Sequence, residues 1–448
     1  MNTTNFFPAR RLSAVVGALA ISACNHNLAV FPDGDGTSSS AVAHAGIARE
    51  HLEENRVPSS PATTSQQNAV AGELVSAKRT PHLAEKVNYA KAHKIRYVST
   101  LQDGSATEVT GVLFESARPW DGPGPRPIIA IGPGTRGQGD HCAPSAAEEQ
   151  TLSIKHTKLS VNANYEYLRY QAALETGANV VVTDYVGLGT PGIHTYVNSI
   201  EEGHALIDAV RASLNLTNSA TDTAVGFAGY SQGGGAAAAA AEQAATYAPE
   251  LNVVGAFAGA PPASQPDIME AVDGTLLSHV MAYAINGYSE RNPLYQKTIQ
   301  EHLNDRGKRF LEEAAESCIG DSVLHWGYTS SEDIIKSGID FVELTARYPV
   351  LQQAQDEQKL GTTAPSAPIL VMNSVNDDII PFSQSRQLAV DYCELGGSVQ
   401  FQAIENPPML PGSGVGHSAP LIQAYPQGMK FLNDRFHDVT PVSNCGEF

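Results

Sequence analysis

The sequence predicts an α/β fold with a mainly parallel central sheet. Short apolar runs alternate with helical patterns along much of the chain, as expected when each strand of a parallel sheet is followed by a helix. One apolar run leads into a serine flanked by glycines, and one long stretch contains helical patterns alone. Apolar residues make up 42% of the 448 residues, enough for a large core.

Two segments with alternating polarity, 94–101 and 106–116, predict antiparallel strands near the start of the domain. Six short apolar runs then predict buried parallel strands. Between them, the patterns at 201–213 and 386–397 predict helices, and the second ends in glycines that favour a helix stop. The six runs occupy residues 126–133, 179–187, 223–230, 252–259, 367–374 and 398–404.

The stretch from about 265 to 362 breaks this alternation, because its patterns are mostly helical. It lies between two predicted strands, so we expect an insertion within one domain that spans residues 81–448. Such an insertion would lie over the carboxyl ends of the strands, where α/β sheets bind their ligands. We therefore predict a helical cap or lid.

Residues 1–24 predict a signal peptide, because Arg10 and Arg11 precede a short apolar run and then small residues. The run is too short to span a bilayer as a mature helix. Its last four residues, ISAC, resemble a bacterial lipobox in which Cys24 is lipidated. The alternative is ordinary cleavage nearby, with Cys24 discarded. We expect an exported protein, either a membrane-anchored lipoprotein in the periplasm or at the cell surface, or a secreted protein.

Residues 25–80 are rich in Ser, Ala, Thr, Pro and Gln and predict a flexible tether. The formal net charge of −19, without a cluster of Lys and Arg, argues against nucleic acid as a partner. Apart from Cys24, the chain has four cysteines, which suggests two disulfides in an exported protein. Four cysteines allow three pairings, and the spacing does not choose between them.

The residues GYSQG at 229–233 match the pattern G-x-S-x-G around Ser231. The pattern is weak evidence alone, but it follows a predicted strand and opens into an alanine-rich helix, the setting of a nucleophile elbow. Gly229 and Gly233 would give the sharp turn room. Ser231 would stand at the positive end of the helix, so we predict that it is a nucleophile.

A serine nucleophile needs a base, and the base needs a carboxylate to orient it. After such an elbow the chain order is serine, acid, histidine. Asp377 follows the strand at 367–374 and is the predicted acid, with Asp378 as the rival. His417 lies in a glycine-rich loop after the last predicted strand and is the predicted base.

The chemistry also needs two backbone donors for an oxyanion. One is the N–H of Gln232, directly after the serine, and the other is expected in the glycine-rich loop 131–145. The alternative for this loop is an ordinary flexible connection, since the HGGG pattern is absent. None of these steps requires a metal or a cofactor, so neither is expected.

Several motifs in order make the chain similar to the secretory lipases of the fungal lipase A type, a family that also occurs in bacteria. The resemblance covers about residues 90 to 448. Its motifs are GDHCAPS (139–145), DYVGLGTPGIHTYV (184–197), EEGHALIDAVRA (201–212), GYSQGG (229–234), YAPELNVVGAFAGAPP (247–262) and DDIIPFSQSRQLA (377–389).

This resemblance implies an α/β-hydrolase core with a helical cap that acts on ester bonds of lipids. It assigns the nucleophile to Ser231, the acid to Asp377 and the base to His417. The chain departs from the fungal pattern at Gln232, where the fungal enzyme has glycine. Cap sequences diverge most, so a preference for acyl chain length does not transfer.

The resemblance also assigns the second oxyanion donor to the N–H of Asp140, although one residue separates Asp140 from the following cysteine where the fungal form has none. It further implies two disulfides, Cys142–Cys318 and Cys393–Cys445. The first would join the oxyanion loop to the cap, and the second would fix the C-terminal tail.

Other functions remain open on the same residues. A short-chain esterase or an acyltransferase would use the same serine, acid and histidine. A binding module without catalysis, displayed on a membrane, is the alternative from another class. The expected partners are a lipid or small ester substrate and a membrane surface reached through an N-terminal lipid anchor.

Overall fold

The computed structural model of the protein describes residues 70–80, 90–146, 153–155, 158–160 and 166–448. The predicted signal peptide, with Cys24, lies outside the described residues, as does the predicted tether up to residue 69.

Nine strands form one sheet in the order β1-β2-β3-β7-β4-β8-β9-β10-β11, and β5 pairs with β6 in a separate hairpin. From β7 to β11, neighbouring strands are parallel, whereas β1, β2 and β3 join by antiparallel pairing. The predicted α/β class is therefore confirmed. The strands are β1 (Leu74–Arg79), β2 (Ala90–Thr100), β3 (Ala106–Ser116), β4 (Ile128–Gly132), β5 (Ser153–Lys155), β6 (Lys158–Ser160), β7 (Asn179–Thr183), β8 (Ala224–Tyr230), β9 (Asn252–Gly259), β10 (Ile369–Ser374) and β11 (Val399–Ile404).

Thirteen α-helices occur in the described part of the chain, with short 3₁₀ helices at Asp140–Cys142 and Ser331–Asp333. The α-helices are α1 (Tyr167–Leu174), α2 (Ser199–Thr217), α3 (Gln232–Tyr247), α4 (Gln265–Val272), α5 (Val280–Arg291), α6 (Pro293–His302), α7 (Asp305–Glu316), α8 (Ile319–Trp326), α9 (Phe341–Arg347), α10 (Pro349–Asp356), α11 (Phe382–Glu394), α12 (Val415–Ser418) and α13 (Leu421–Phe436).

Strand β1 differs from the sequence prediction, because it lies within the segment 25–80 that predicts a tether. Five of its six residues are exposed, so its sequence shows no apolar alternation. Backbone pairing with β2 holds it at the edge of the sheet. Tertiary pairing of this kind leaves no hydrophobic pattern in the sequence.

The alanine block forms the middle of α3, where Ala236 to Ala241 are all completely buried. The helix packs against β8 and β9 on one side and α2 on another. Small side chains allow this close approach, and alanine also has the highest intrinsic helix propensity. The alanine block is therefore the close-packed middle of a buried helix that begins directly after Ser231.

Helices α4 to α10 lie between β9 and β10 and extend from Gln265 to Asp356, inside the predicted insertion of about 265–362. A disulfide joins Cys142, in the loop after β4, to Cys318 at the start of α8. The insertion also contacts the loop before α12, since the N–H of Leu276 donates to the carbonyl of Gly412 (2.8 Å).

A second disulfide joins Cys393 of α11 to Cys445 in the C-terminal tail. Next to it, the N–H of Asn444 donates to the carbonyl of Val399 (3.0 Å), and the Phe448 ring lies 4.9 Å from that of Phe401. The tail thus covers the outer edge of β11, which would otherwise present unpaired backbone groups. None of the described helices combines the length and apolar character that crossing a bilayer requires.

Candidate active site

Ser231 lies at the turn between β8 and α3 with φ 60° and ψ −129°. Residues other than glycine rarely adopt this conformation, which costs of order 1–3 kcal/mol. Two backbone hydrogen bonds hold the turn: the Ser231 N–H donates to the Gly259 carbonyl (2.9 Å), and the Gly235 N–H donates to the Ser231 carbonyl (3.1 Å). The geometry is that of a strand–turn–helix elbow.

The glycines on either side of the turn have no room for a side chain. A Cβ at Gly229 would lie 1.9 Å from the carbonyl oxygen of Gly233. A Cβ at Gly233 would lie 1.9 Å from the carbonyl oxygen of Gly132, at the end of β4. The spacing of glycines around Ser231 is therefore a steric requirement of the way α3 meets the sheet.

His417 and Asp377 are in direct contact, since His417 Nδ1 donates to Asp377 Oδ2 (2.8 Å). The Asp377 side chain is fully buried, and its Oδ1 accepts the N–H groups of Ile379 (2.9 Å) and Ile380 (2.8 Å). Three donors thus converge on the carboxylate and fix its orientation. With Nδ1 donating, the Nε2 of a neutral His417 carries the lone pair that a general base needs.

Asp378 has a different task from its neighbour. Its Oδ1 accepts the backbone N–H of His417 (3.0 Å), and its Oδ2 accepts the N–H of Gly414 (2.9 Å). Asp378 therefore fixes the turn that carries the histidine, while Asp377 contacts the imidazole itself. The sequence analysis predicts Asp377 as the acid, with Asp378 as the rival, and the contacts of the two aspartates agree with that order.

The structure places His417 beside the residue that precedes Ser231. The Tyr230 hydroxyl donates to the His417 carbonyl (2.8 Å), and the two rings lie 5.4 Å apart. No hydrogen bond joins Ser231 to His417 among the described residues. Catalytic hydrogen bonds are often long in unliganded proteins and shorten when substrate binds, so this geometry is compatible with the predicted pair.

Gln232 is the first residue of α3 and is 2% exposed. The first backbone N–H groups of a helix have no partner within it and carry partial positive charge. The N–H directly after Ser231 therefore lies where an anion at the elbow would need a donor.

Asp140 begins the 3₁₀ helix of the loop after β4, and its side chain is exposed. Its Oδ1 accepts the N–H of Gly189 (3.0 Å). Within the described part of the chain, no hydrogen bond joins Asp140 to the residues predicted to act with it. Gly132 and Pro133, several residues earlier, lie next to the elbow, since a Cβ at Gly233 would lie 1.9 Å from the carbonyl oxygen of Gly132 and 3.0 Å from that of Pro133.

The structure contains both disulfides implied by the sequence resemblance, Cys142–Cys318 and Cys393–Cys445. Among the described residues, one group of potential metal ligands lies within 4.8 Å: His141, Cys142 and Cys318. Both sulfurs of that group are in the disulfide, so they do not offer thiolate ligands.

A buried polar network behind the elbow was not predicted from the sequence. Gln232 Nε2 donates to His194 Nε2 (2.9 Å) and to Glu202 Oε1 (2.7 Å). Burial lowers the pKa of His194 to about 4 and raises the pKa of Glu202 to about 8. Perturbed groups beside a candidate nucleophile are typical of functional sites.

Comparison with known proteins gives a match to the family model for secretory lipases over residues 152–444. A secreted triacylglycerol lipase of Malassezia furfur is 28% identical over 305 residues, which are 66% of this chain and 75% of that protein. A Mycobacterium tuberculosis protein named "Probable inactive lipase" is 29% identical over 262 residues, which are 58% of this chain and 56% of that protein.

Among solved structures, Candida antarctica lipase A in its closed state superimposes with a TM-score of 0.71 and 21% identity, over 86% of each chain. At this identity the likeness concerns the fold alone. Together with the sheet order and the elbow, it confirms the predicted α/β-hydrolase fold.

Replacing Gly233 with alanine should lower the free energy of unfolding by about 3 kcal/mol or more, because the new Cβ would meet the backbone of Gly132. The control is Gly235→Ala on the same helix, where the Cβ would meet ring carbons of Pro262 at 2.9 and 3.0 Å but no backbone atom closer than the Pro262 nitrogen at 3.9 Å, so we expect a smaller loss. Urea unfolding of both variants measures the difference. Equal losses would contradict a special requirement at Gly233.

Proposed function

The chain belongs to the secretory lipase family and is a carboxylic ester hydrolase, and from this premise we propose that Ser231, Asp377 and His417 hydrolyse the ester bonds of acylglycerol-like lipids. The observation that carries the proposal is the hydrogen bond from His417 Nδ1 to the buried Asp377, on a histidine that packs against the elbow. This arrangement orients Nε2 as the base for a serine in a strained turn.

In the proposed reaction, Ser231 Oγ attacks the ester carbonyl carbon while His417 Nε2 takes the proton of the serine hydroxyl. The carbonyl oxygen becomes the oxyanion of a tetrahedral intermediate. The imidazolium that forms lies against the Asp377 carboxylate, which stabilises it without taking its proton. Full burial of the Asp377 side chain strengthens that attraction, because water does not screen it.

Two backbone donors are proposed for the oxyanion. The first is the N–H of Gln232, at the start of α3. The second comes from the loop after β4, where we assign it to Asp140 from the sequence resemblance. The disulfide at Cys142 supports a role for this loop, because it fixes the loop against the insertion.

The intermediate then collapses, and the alcohol leaves with the proton from His417 while the acyl group stays on Ser231. Water attacks this acyl-enzyme by the same steps, with His417 again as base, and releases the acid. We propose that the insertion formed by α4 to α10 acts as a cap over the acyl chain. Its contacts with the loop after β4, which carries Asp140, and with the loop before α12, which leads to His417, support this role.

The alternative from the sequence, a binding module without catalysis, does not agree with the match to secretory lipases, although one relative is named a probable inactive lipase. Short-chain ester hydrolysis and acyl transfer would use the same site. The match to secretory lipases and the secreted relative support export of the protein. Anchoring through a lipid on Cys24 remains a proposal from the sequence.

Ser231→Ala should abolish hydrolysis of p-nitrophenyl esters and labelling by a fluorophosphonate probe, because the nucleophile is gone. Circular dichroism and thermal unfolding serve as the folding control, since the change removes one oxygen from a half-buried side chain. Turnover that persists in the folded variant would refute Ser231 as nucleophile. Failure of the wild-type protein to react with the probe would favour the binding module.

Asp377→Asn should lower kcat by about 10⁴-fold, as loss of the orienting carboxylate does in other serine hydrolases. Asp378→Asn is the matched control, because it changes the neighbouring carboxylate that contacts only the backbone of the histidine turn. We expect Asp378→Asn to lower the thermal stability and to affect kcat far less. The opposite ranking of the two kcat values would assign the acid to Asp378.

If Cys24 is the anchor, cells that produce the protein should incorporate radiolabelled palmitate into it, and Cys24→Ala should lose the label. The mature protein would then fractionate with membranes. Absence of label from the wild-type protein would leave ordinary cleavage and secretion.

A further inference from the structure

The Gln232 side chain is enclosed directly behind the candidate nucleophile. Gln232 and Glu202 are each 2% exposed and His194 is 1% exposed, so water does not compete for their hydrogen bonds. The two N–H bonds of the carboxamide have separate partners, His194 Nε2 and Glu202 Oε1. Gln232, whose backbone N–H directly follows Ser231, is thus held in place by its side chain.

The contact of the second ring nitrogen, Nδ1, determines the tautomer of His194. His194 Nδ1 lies 2.9 Å from the Val186 carbonyl, which can only accept, so Nδ1 carries the proton. Nε2 is then the acceptor that Gln232 requires. The ring stacks on Tyr185 with an interplanar angle of 10°, and the His194 carbonyl accepts Gln138 Nε2 (2.8 Å). The acceptor is therefore fixed in place.

Glu202 has polar partners but no cation in contact among the described residues. Its Oε1 also accepts the Val197 N–H (2.9 Å). The ionisable groups facing it are His194, the Tyr288 hydroxyl of α5 and Glu201, which pairs with Arg291 (2.7 Å). Burial first, and then the nearby charge of Glu201, disfavour a negative charge on Glu202.

We propose that Gln232 is a positioning residue whose side chain, held by His194 and Glu202, fixes its own N–H for the oxyanion, and that ionisation of Glu202 opposes catalysis. The proposal rests on the function proposed for Ser231. A negative charge on Glu202 would lie at the end of the Gln232 side chain. The backbone N–H of the same residue is the proposed donor, so the charge would act on the developing negative oxyanion. The neutral acid therefore favours the transition state, and its ionisation disfavours it.

The side chain at position 232, where the fungal pattern has glycine, is what makes this network of hydrogen bonds possible. A glycine at position 232 would offer the N–H without any side chain to hold it. Here the carboxamide adds two hydrogen bonds to the first residue of α3. Misplacement of a reacting or stabilising group by about 1 Å can cost 10²-fold in rate, so such fixing has a measurable consequence.

The main experiment compares the pH dependence of kcat in the wild type and in Glu202→Gln. Burial raises the pKa of Glu202 to about 8, so the acid is neutral below that pH and ionises above it. We expect the wild-type kcat to fall about tenfold above this pH, as the carboxylate repels the oxyanion. Glu202→Gln cannot ionise and should keep its kcat on the alkaline side.

Glu242→Gln is the matched control. Glu242 lies on α3 as Gln232 does, and burial raises its pKa to about 7. Its Oε1 accepts the Gly361 N–H (2.8 Å) and the Tyr392 hydroxyl (2.6 Å), so it belongs to a different contact. This variant should retain the alkaline fall of the wild-type kcat.

Gln232→Ala tests the network from its other end. It keeps the backbone N–H but loses the side chain that holds it, so kcat should fall about 10- to 100-fold with little change in KM. A role in folding alone would lower the melting temperature and leave kcat of the folded protein unchanged. This variant also decides the matter if Glu202→Gln does not fold.

Two results would overturn the proposal: an alkaline fall in kcat that persists in Glu202→Gln, or a wild-type kcat in folded Gln232→Ala. Both assume that Ser231 of the wild-type protein reacts with a fluorophosphonate. If it does not react, the proposed function fails first. If it reacts and the two variants behave like the wild type, only the positioning role fails.

Discussion

The close approach of α3 to the sheet is the constraint on which the site depends. The turn at Ser231 has a positive φ, and a Cβ at Gly229 or Gly233 would overlap backbone oxygens at 1.9 Å. Only a helix with small residues can come so near β8 and β9, and the buried alanines of α3 meet that requirement. The backbone strain at Ser231 persists because hydrogen bonds to Gly259 and from Gly235 hold the turn on both sides.

The parallel register of the sheet brings the other candidate residues to the same edge. Asp377 follows β10 and His417 lies beyond β11, so both come from loops at carboxyl ends of adjacent strands. The two adjacent aspartates have different contacts. Asp377 accepts the hydrogen bond from the imidazole of His417, and Asp378 accepts the backbone N–H of the same residue. A histidine fixed at both its ring and its backbone has little freedom to leave the elbow.

The sequence predicts the parallel strands of the sheet, because buried parallel strands are continuous apolar runs. It also predicts the candidate serine, acid and histidine, because their order along the chain follows the order of the loops. Strand β1 could not be predicted, since an exposed edge strand held by backbone pairing has no apolar pattern. The contacts of Gln232 with His194 and Glu202 escaped prediction for another reason. They join residues 38 and 30 positions away, and only the packed fold brings them together.

The loop after β4 is held from both of its ends, which bears on how an insertion can admit a substrate. Gly132 meets Gly233 at the elbow, and Cys142 is bonded to Cys318, while the Gln138 N–H donates to the Ser317 carbonyl (3.0 Å). The start of α8 therefore cannot move away from this loop without breaking covalent and backbone contacts. If the insertion opens as the proposed cap, the movement has to occur in parts that these bonds do not hold, so the loop after β4 and the elbow would keep their geometry.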